Sequence, residues 1–151
     1  MIVAAQEFSG NIWKFEEKHV SLQQQRKKED MSRETNLCLS VHDELYLIDL
    51  NRVLYLQADD HYTDVYYTSG AHFLVPFGLI KIEDRIATMP EAKLYMLRLG
   101  RKYIVNTKHI FRINTTKELL YMTNDDGSST SLHVSKPVLR GLMELIQSKE
   151  G

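Results

Sequence analysis

Cysteine is the first scarcity of this chain: only Cys38 is present among 151 residues. One thiol cannot close an internal disulfide, and no cysteine-based metal site can be assembled from it. Six histidines are scattered without H-E-x-x-H or comparable ligand spacing, so neither a metal nor a cofactor is expected. No apolar run approaches the roughly 18–20 residues that a bilayer span needs, and no membrane partner is expected. The start, Met1 to Phe15, has no basic n-region and meets Glu7 too early for a secretory signal, so a cytoplasmic protein is the expectation. Catalytic groups are scarce too. Asp59, Asp60, His61 and Asp64 form the densest titratable cluster, but no nucleophile, third ligand or glycine-rich phosphate cradle accompanies it. The cluster reads as a polar loop at the start of a strand, and no catalytic residue is assigned: the chain is not expected to be an enzyme.

What is present is a normal apolar share, 43%, with 26% charged residues, enough for one domain with a real core. Cys38 falls in the apolar stretch Leu37 to Val41 and reads as a small core residue. The net charge of −1 does not announce a nucleic-acid partner. Its distribution says more. Arg98, Arg101, Lys102, Lys108 and Arg112 lie in a stretch without a single acid, together with His109. A locally basic face can neutralise phosphates on a neutral protein, because counterion release depends on the charges at the contact. On charge alone, a solvated basic face explains the run equally well.

Residues 1–36 differ from the rest. Phe8, Ile12, Phe15, His19 and Leu22 fall at the spacing of an amphipathic helix, and Gln23 to Asp30 is a polar run of good helix formers. A helical arm or linker over 1–36 is expected, with a homodimer or a signalling partner as its candidate role. From Leu37 the pattern turns to short alternating runs rich in Tyr, Thr and Val. Strands are expected at Glu44–Asp49, Val53–Ala58, His61–Thr68 and His72–Phe77. A helix is expected over 79–88, where Leu79, Ile82 and Ile86 share a face and Pro90 stops the run. Strands resume at Leu94–Leu99, Tyr103–Val105, His109–Asn114, Glu118–Thr123 and Ser131–Val134, with a turn at Asn124 to Gly127. A final helix over 135–147 is expected, with Ser135 as cap, Pro137 in the first turn and Arg140, Glu144 and Gln147 on its wet stripe. The fold class is mainly β with two short helices.

Three blocks, in order, resemble one family. Ile48 to Val65, containing Tyr55-Leu56-Gln57-Ala58 and Tyr62-Thr63-Asp64-Val65, is similar to the opening of the LytTR domain of bacterial response regulators. Leu97-Arg98-Leu99-Gly100-Arg101-Lys102-Tyr103-Ile104-Val105-Asn106 resembles its central F-x-R-x-H-R-S-Y-I-V-N block. Leu132-His133-Val134-Ser135-Lys136 resembles its L-P-V-S-R ending before the terminal helix. The resemblance covers about 100 residues and implies a LytTR-like multi-strand β-sheet domain over 37–149 that presents loops, not a recognition helix, to DNA. It implies a transcriptional regulator that inserts loop side chains into successive major grooves of a direct-repeat site in double-stranded DNA, which it bends. By position, the implied DNA-binding residues are His61 and Tyr62 in a first loop, Arg101 and Lys102 in a second, and Ser135, Lys136 and Arg140 in a third. Read from its residues, Tyr62 is rather a core or cross-strand aromatic. The chain departs from the family at Gly100, where a histidine is usual, at Pro76, where a basic residue is common, and at Lys136-Pro137, where two arginines are typical. Those departures keep an alternative in view: a β-rich protein-interaction module of LytTR shape with weakened DNA binding.

Overall fold

The computed structural model describes residues 35–150. Residues 1–34, and with them the stripe at Phe8, Ile12, Phe15, His19 and Leu22 and the helical arm it predicts, lie outside the described residues. The described chain opens on an antiparallel hairpin, β1 (Asn36–Val41) and β2 (Glu44–Asp49). A 3-10 turn, Leu50–Arg52, follows, capped by the Asp49 carboxylate, which accepts the Asn51 N–H at 3.2 Å. Then come β3 (Val53–Asp59), β4 (Tyr62–Tyr67), β5 (His72–Val75), α1 (Leu79–Ala87), α2 (Ala92–Tyr95), β6 (Met96–Leu99) and β7 (Tyr103–Asn106). A second 3-10 turn, Thr107–His109, leads to β8 (Ile110–Asn114), β9 (Leu119–Thr123), β10 (Ser129–His133) and α3 (Lys136–Glu150). Strands β3 to β7 build an antiparallel five-stranded sheet in the order β5-β4-β3-β7-β6, and β8 to β10 a three-stranded one. The fold is mainly β, as the patterning predicts.

Both faces of the five-stranded sheet are covered, so its central strands β3 and β7 read as continuous apolar runs instead of alternating ones. In β7, Ile104 faces one core while Tyr103 and Val105 face the other. In β3 a bulge between Val53 and Tyr55 sends Leu54 and Tyr55 to the same face, leaving Val53 and Leu56 on the opposite one. One face packs with the β1–β2 hairpin and α1 through Leu39, Ile48, Leu56, Ile82 and Ile86. The other packs with the three-stranded sheet and α3 through Val105, Leu120, Met122, Leu139 and Leu142. Truncating one such leucine to alanine costs about 2–5 kcal/mol.

The structure departs from the expected pattern in instructive places. Cys38 is exposed, not core. The alternation of β1 turns Leu37 and Leu39 inward and Cys38 outward, across from the exposed Leu47 of β2. Residues 92–95, expected partly as strand, form a helical turn, because the chain keeps turning after Pro90: Lys93 N–H bonds Met89 O at 3.1 Å and Leu94 N–H bonds Glu91 O at 3.0 Å. The turn delivers Ala92 and Tyr95 to the core. The strand expected from His109 begins at Ile110, since Asn106 diverts the chain first. Its fully buried side chain donates to Leu50 O (3.2 Å) and Val53 O (2.9 Å) and accepts the Lys108 N–H (3.0 Å), which caps the 107–109 turn. In α3, where the helical spacing puts Val138, Leu142 and Leu145 on one apolar stripe, Leu145 is exposed, being about 120° around the helix from Leu139.

Candidate nucleic-acid interface

The antiparallel order puts two turns at one end of the five-stranded sheet. The first, Asp60-His61, joins β3 to β4 directly beyond the pair Asp59–Tyr62. Asp60 takes φ 58°, a left-handed conformation that aspartate tolerates better than most residues. The His61 side chain is 92% exposed, and its Nε2 lies 3.8 Å from Asp60 Oδ1. Tyr62 is 49% exposed, so of the two roles read for it from its residues the core one does not hold, while the cross-strand one does: it opens β4 opposite Asp59. The second turn, Gly100 to Lys102, joins β6 to β7 beyond the pair Leu99–Tyr103. Arg101 and Lys102 are exposed on it, and Lys102 Nζ sits 5.6 Å from the centroid of the Tyr103 ring.

The two turns are joined through backbone: the Ala58 N–H of β3 donates to Lys102 O at 2.8 Å. The second turn in turn meets α3, since a Cβ at Gly100 would lie 4.0 Å from Val138 Cγ2. His61, Arg101 and the start of α3, with exposed Ser135 and Lys136, therefore follow one another along one end of the domain; Arg140 is exposed one turn further along, about 200° around the helix from Val138. Ser135 O accepts the Leu139 N–H at 3.0 Å, which makes Ser135 the residue that opens the helix. The carboxylate facing that terminus comes from elsewhere: Glu118 Oε2 accepts the Lys136 N–H at 3.0 Å, and its Oε1 lies 3.5 Å from His133 Nε2. Glu118 sits at φ 58° in the β8–β9 turn, where Glu118 O also accepts the Val134 N–H at 3.0 Å. An acid at a helix N-terminus stabilises the helix and competes with phosphate there.

The acid-free run from Arg98 to Arg112 does not make one basic face. Strand β7 separates Arg101 and Lys102 from Lys108, His109 and Arg112 by four strand residues, about 13 Å at some 3.3 Å per residue. Beyond it, Lys108 Nζ bonds Asn51 Oδ1 at 3.1 Å and covers the Tyr95 ring, and Arg112 covers the Tyr121 ring. Arg98 is ion-paired with Glu83 at 2.6 Å. The cluster of Asp59, Asp60, His61 and Asp64 is likewise divided: Asp64 turns to His72, 3.1 Å away, and His72 stacks on Tyr66. Among the described residues no group of three or more His, Cys, Asp or Glu side chains is placed to hold a metal, and no helix is long and apolar enough to cross a membrane. Sequence reasoning gives no role to Glu83 or Glu118, because their partners are distant in the chain.

The described residues thus form a mainly β domain with three loops at one end, two of them carrying cations. The model of the LytTr DNA-binding domain matches residues 43–147, and the chain belongs to that family. The family is one of regulatory DNA-binding domains, not of enzymes. A curated relative, the CO-responsive transcriptional regulator RcoM of Rhodospirillum rubrum, is 33% identical over 101 residues, which cover 65% of this chain and 40% of that protein. The chain thus spans well under half of that relative's length. The LytTr DNA-binding domain of a Bacillus cereus protein described as a methyl-accepting/DNA response regulator shares the fold, with a TM-score of 0.52 at 23% identity. That likeness covers 74% of this chain and 96% of the other.

Proposed function

We propose that this domain, acting in the cytoplasm over residues 37–149, binds double-stranded DNA at a direct repeat and regulates transcription there. The β3–β4 turn, the β6–β7 turn and the start of α3 enter successive major grooves. The observation that carries this reading is the convergence of the three loops, tied by the Ala58–Lys102 hydrogen bond and by the approach of Gly100 to Val138. Arg101, exposed on a turn without acids, has the forked donors that recognise the guanine edge. Lys102, Lys136 and Arg140 supply phosphate contacts that fix register, and Ser135 adds a hydroxyl. His61 and Tyr62 reach the neighbouring groove from a turn that also carries Asp59 and Asp60. Residues 1–36 recruit a second copy or a signalling partner. Selection of bound duplexes from a random pool by the full chain tests the reading. Enrichment of a direct repeat with half-sites about one helical turn apart is expected; a pool without enrichment contradicts it.

One observation favours a second reading, a protein-interaction module. A groove of about 560 Å³ with a mixed polar and apolar lining runs between α3 and β8, with Phe111 and Leu145 exposed on its rim. An unenriched pool would move the function to that face.

A further inference from the structure

The turn that carries Arg101 and Lys102 owes its shape to a residue that does not face outward with them. Arg98, in β6, is only 21% exposed at its side chain. Its Nε donates to Gly100 O at 2.9 Å, one terminal nitrogen donates to Arg101 O at 3.2 Å, and the other donates to Glu83 Oε1 at 2.6 Å. With Lys102 O taken by the Ala58 N–H, each of the three carbonyls of the turn accepts a hydrogen bond. A guanidinium suits this position because it is planar and offers five donors in a fixed fork, whereas an ammonium is a point donor on a flexible stem. Glu83 completes the arrangement from α1, holding the guanidinium in place and balancing its charge. Arg98 therefore belongs to the basic run in sequence but not to its exposed positive charge.

We propose that Arg98 is a positioning residue, clamped by Glu83, that holds the Gly100–Lys102 turn in the shape in which Arg101 and Lys102 meet DNA. The proposal rests on the reading that this turn is a DNA contact. A turn left to fluctuate would have to be ordered on binding, and that ordering lowers affinity. The clamp removes the requirement in the free protein. It acts on the backbone alone, so its loss leaves the number of cations at the interface unchanged.

Arg98→Lys, Glu83→Gln and Arg101→Ala in the full chain separate these roles. Each variant is measured for affinity toward the selected duplex across a salt series, for amide order at Gly100, Arg101 and Lys102 without DNA, and for thermal unfolding. Arg98→Lys keeps the charge and loses the fork. It is expected to lower affinity by about tenfold with an unchanged salt slope and with lowered amide order in the turn. Glu83→Gln is expected to show the same pattern more weakly. Arg101→Ala is expected to lower affinity with the turn as ordered as in the parent and the salt slope reduced by about one if a phosphate is lost. Parent-like affinity and turn order in Arg98→Lys would overturn the proposal, as would a reduced salt slope with the turn still ordered, which would make Arg98 a direct phosphate contact. If Arg98→Lys does not fold, Glu83→Gln decides by the same two readouts. If the parent chain binds no duplex, the DNA reading fails, while turn order in the variants still decides whether Arg98 is the clamp.

Discussion

The two hairpin turns at the end proposed to meet DNA differ in almost every respect that matters for recognition. The β3–β4 turn carries His61 with its ring nearly free, beside Asp59 and Asp60. The β6–β7 turn carries Arg101 and Lys102, has no acid, and has each of its three carbonyls bonded. Rigidity by itself does not make a DNA contact. The β9–β10 turn is also stiffened, by Asp126 and Ser128, yet it lies at the other end of β4, where Asp125 N–H bonds Thr68 O, and it is acidic. Of these three hairpin turns, the β6–β7 turn is the one that combines cations with a fully hydrogen-bonded backbone. In the proposed function, binding energy belongs to that turn and adjustment to the His61 turn.

The largest effect expected is on binding. Arg101→Ala should cost about 1–3 kcal/mol in specific affinity with thermal stability unchanged, because the side chain is exposed. His61→Gln should cost less than half as much; a larger loss at His61 in side-by-side titrations would invert the comparison. Next comes backbone strain. Gly100 has φ 63°, so Gly100→Ala should lower stability by about 1–2 kcal/mol in denaturant titrations. Space is not the obstacle, since the nearest atom to an added Cβ is 4.0 Å away. A smaller effect of two signs is expected at the third loop. Glu118→Gln should raise DNA affinity by about 0.3–1 kcal/mol and lower stability by a similar amount, since it removes a charge that favours the α3 terminus and repels phosphate.

The smallest expected effect concerns the acidic turn. The Ser128 hydroxyl and then the Ser128 N–H hold the Asp126 carboxyl below the usual carboxylate range. A depressed folded-state value means that the stabilisation is complete above the ordinary carboxylate range and is lost as pH falls through the lower folded value. The protection of the Gly127 and Ser128 amides, relative to their intrinsic exchange at the same pH, should therefore fall only in acid. Asp126→Asn should flatten that dependence while leaving DNA binding unchanged; an altered affinity would draw the distal end into the interface.

Much of this arrangement is legible in local sequence, and the illegible part has a common cause. Leu79, Ile82 and Ile86 announce α1 by their spacing, and Leu139 and Leu142 mark the buried stripe of α3, because side-chain period is a property of the chain itself. The three family-like blocks carry the three loops. Cys38 and the neighbours of Tyr62 mislead because an apolar stretch does not say which of two faces is covered. The 98–112 run looks continuous as text, yet β7 divides it and Glu83 neutralises its first member. Glu83 with Arg98 and Glu118 with Lys136 are pairings between elements, set by packing across the sheet, and local patterning carries no trace of them.

Backbone amide chemical shifts of the full chain, followed during titration with the selected duplex, test the central claim most directly. The account predicts that perturbations concentrate at residues 60–62, 100–102 and 134–140, with residues 124–128 unmoved. Perturbations centred on Phe111 and Leu145, or spread over Lys108 to Arg112 with the 100–102 turn unmoved, would contradict it.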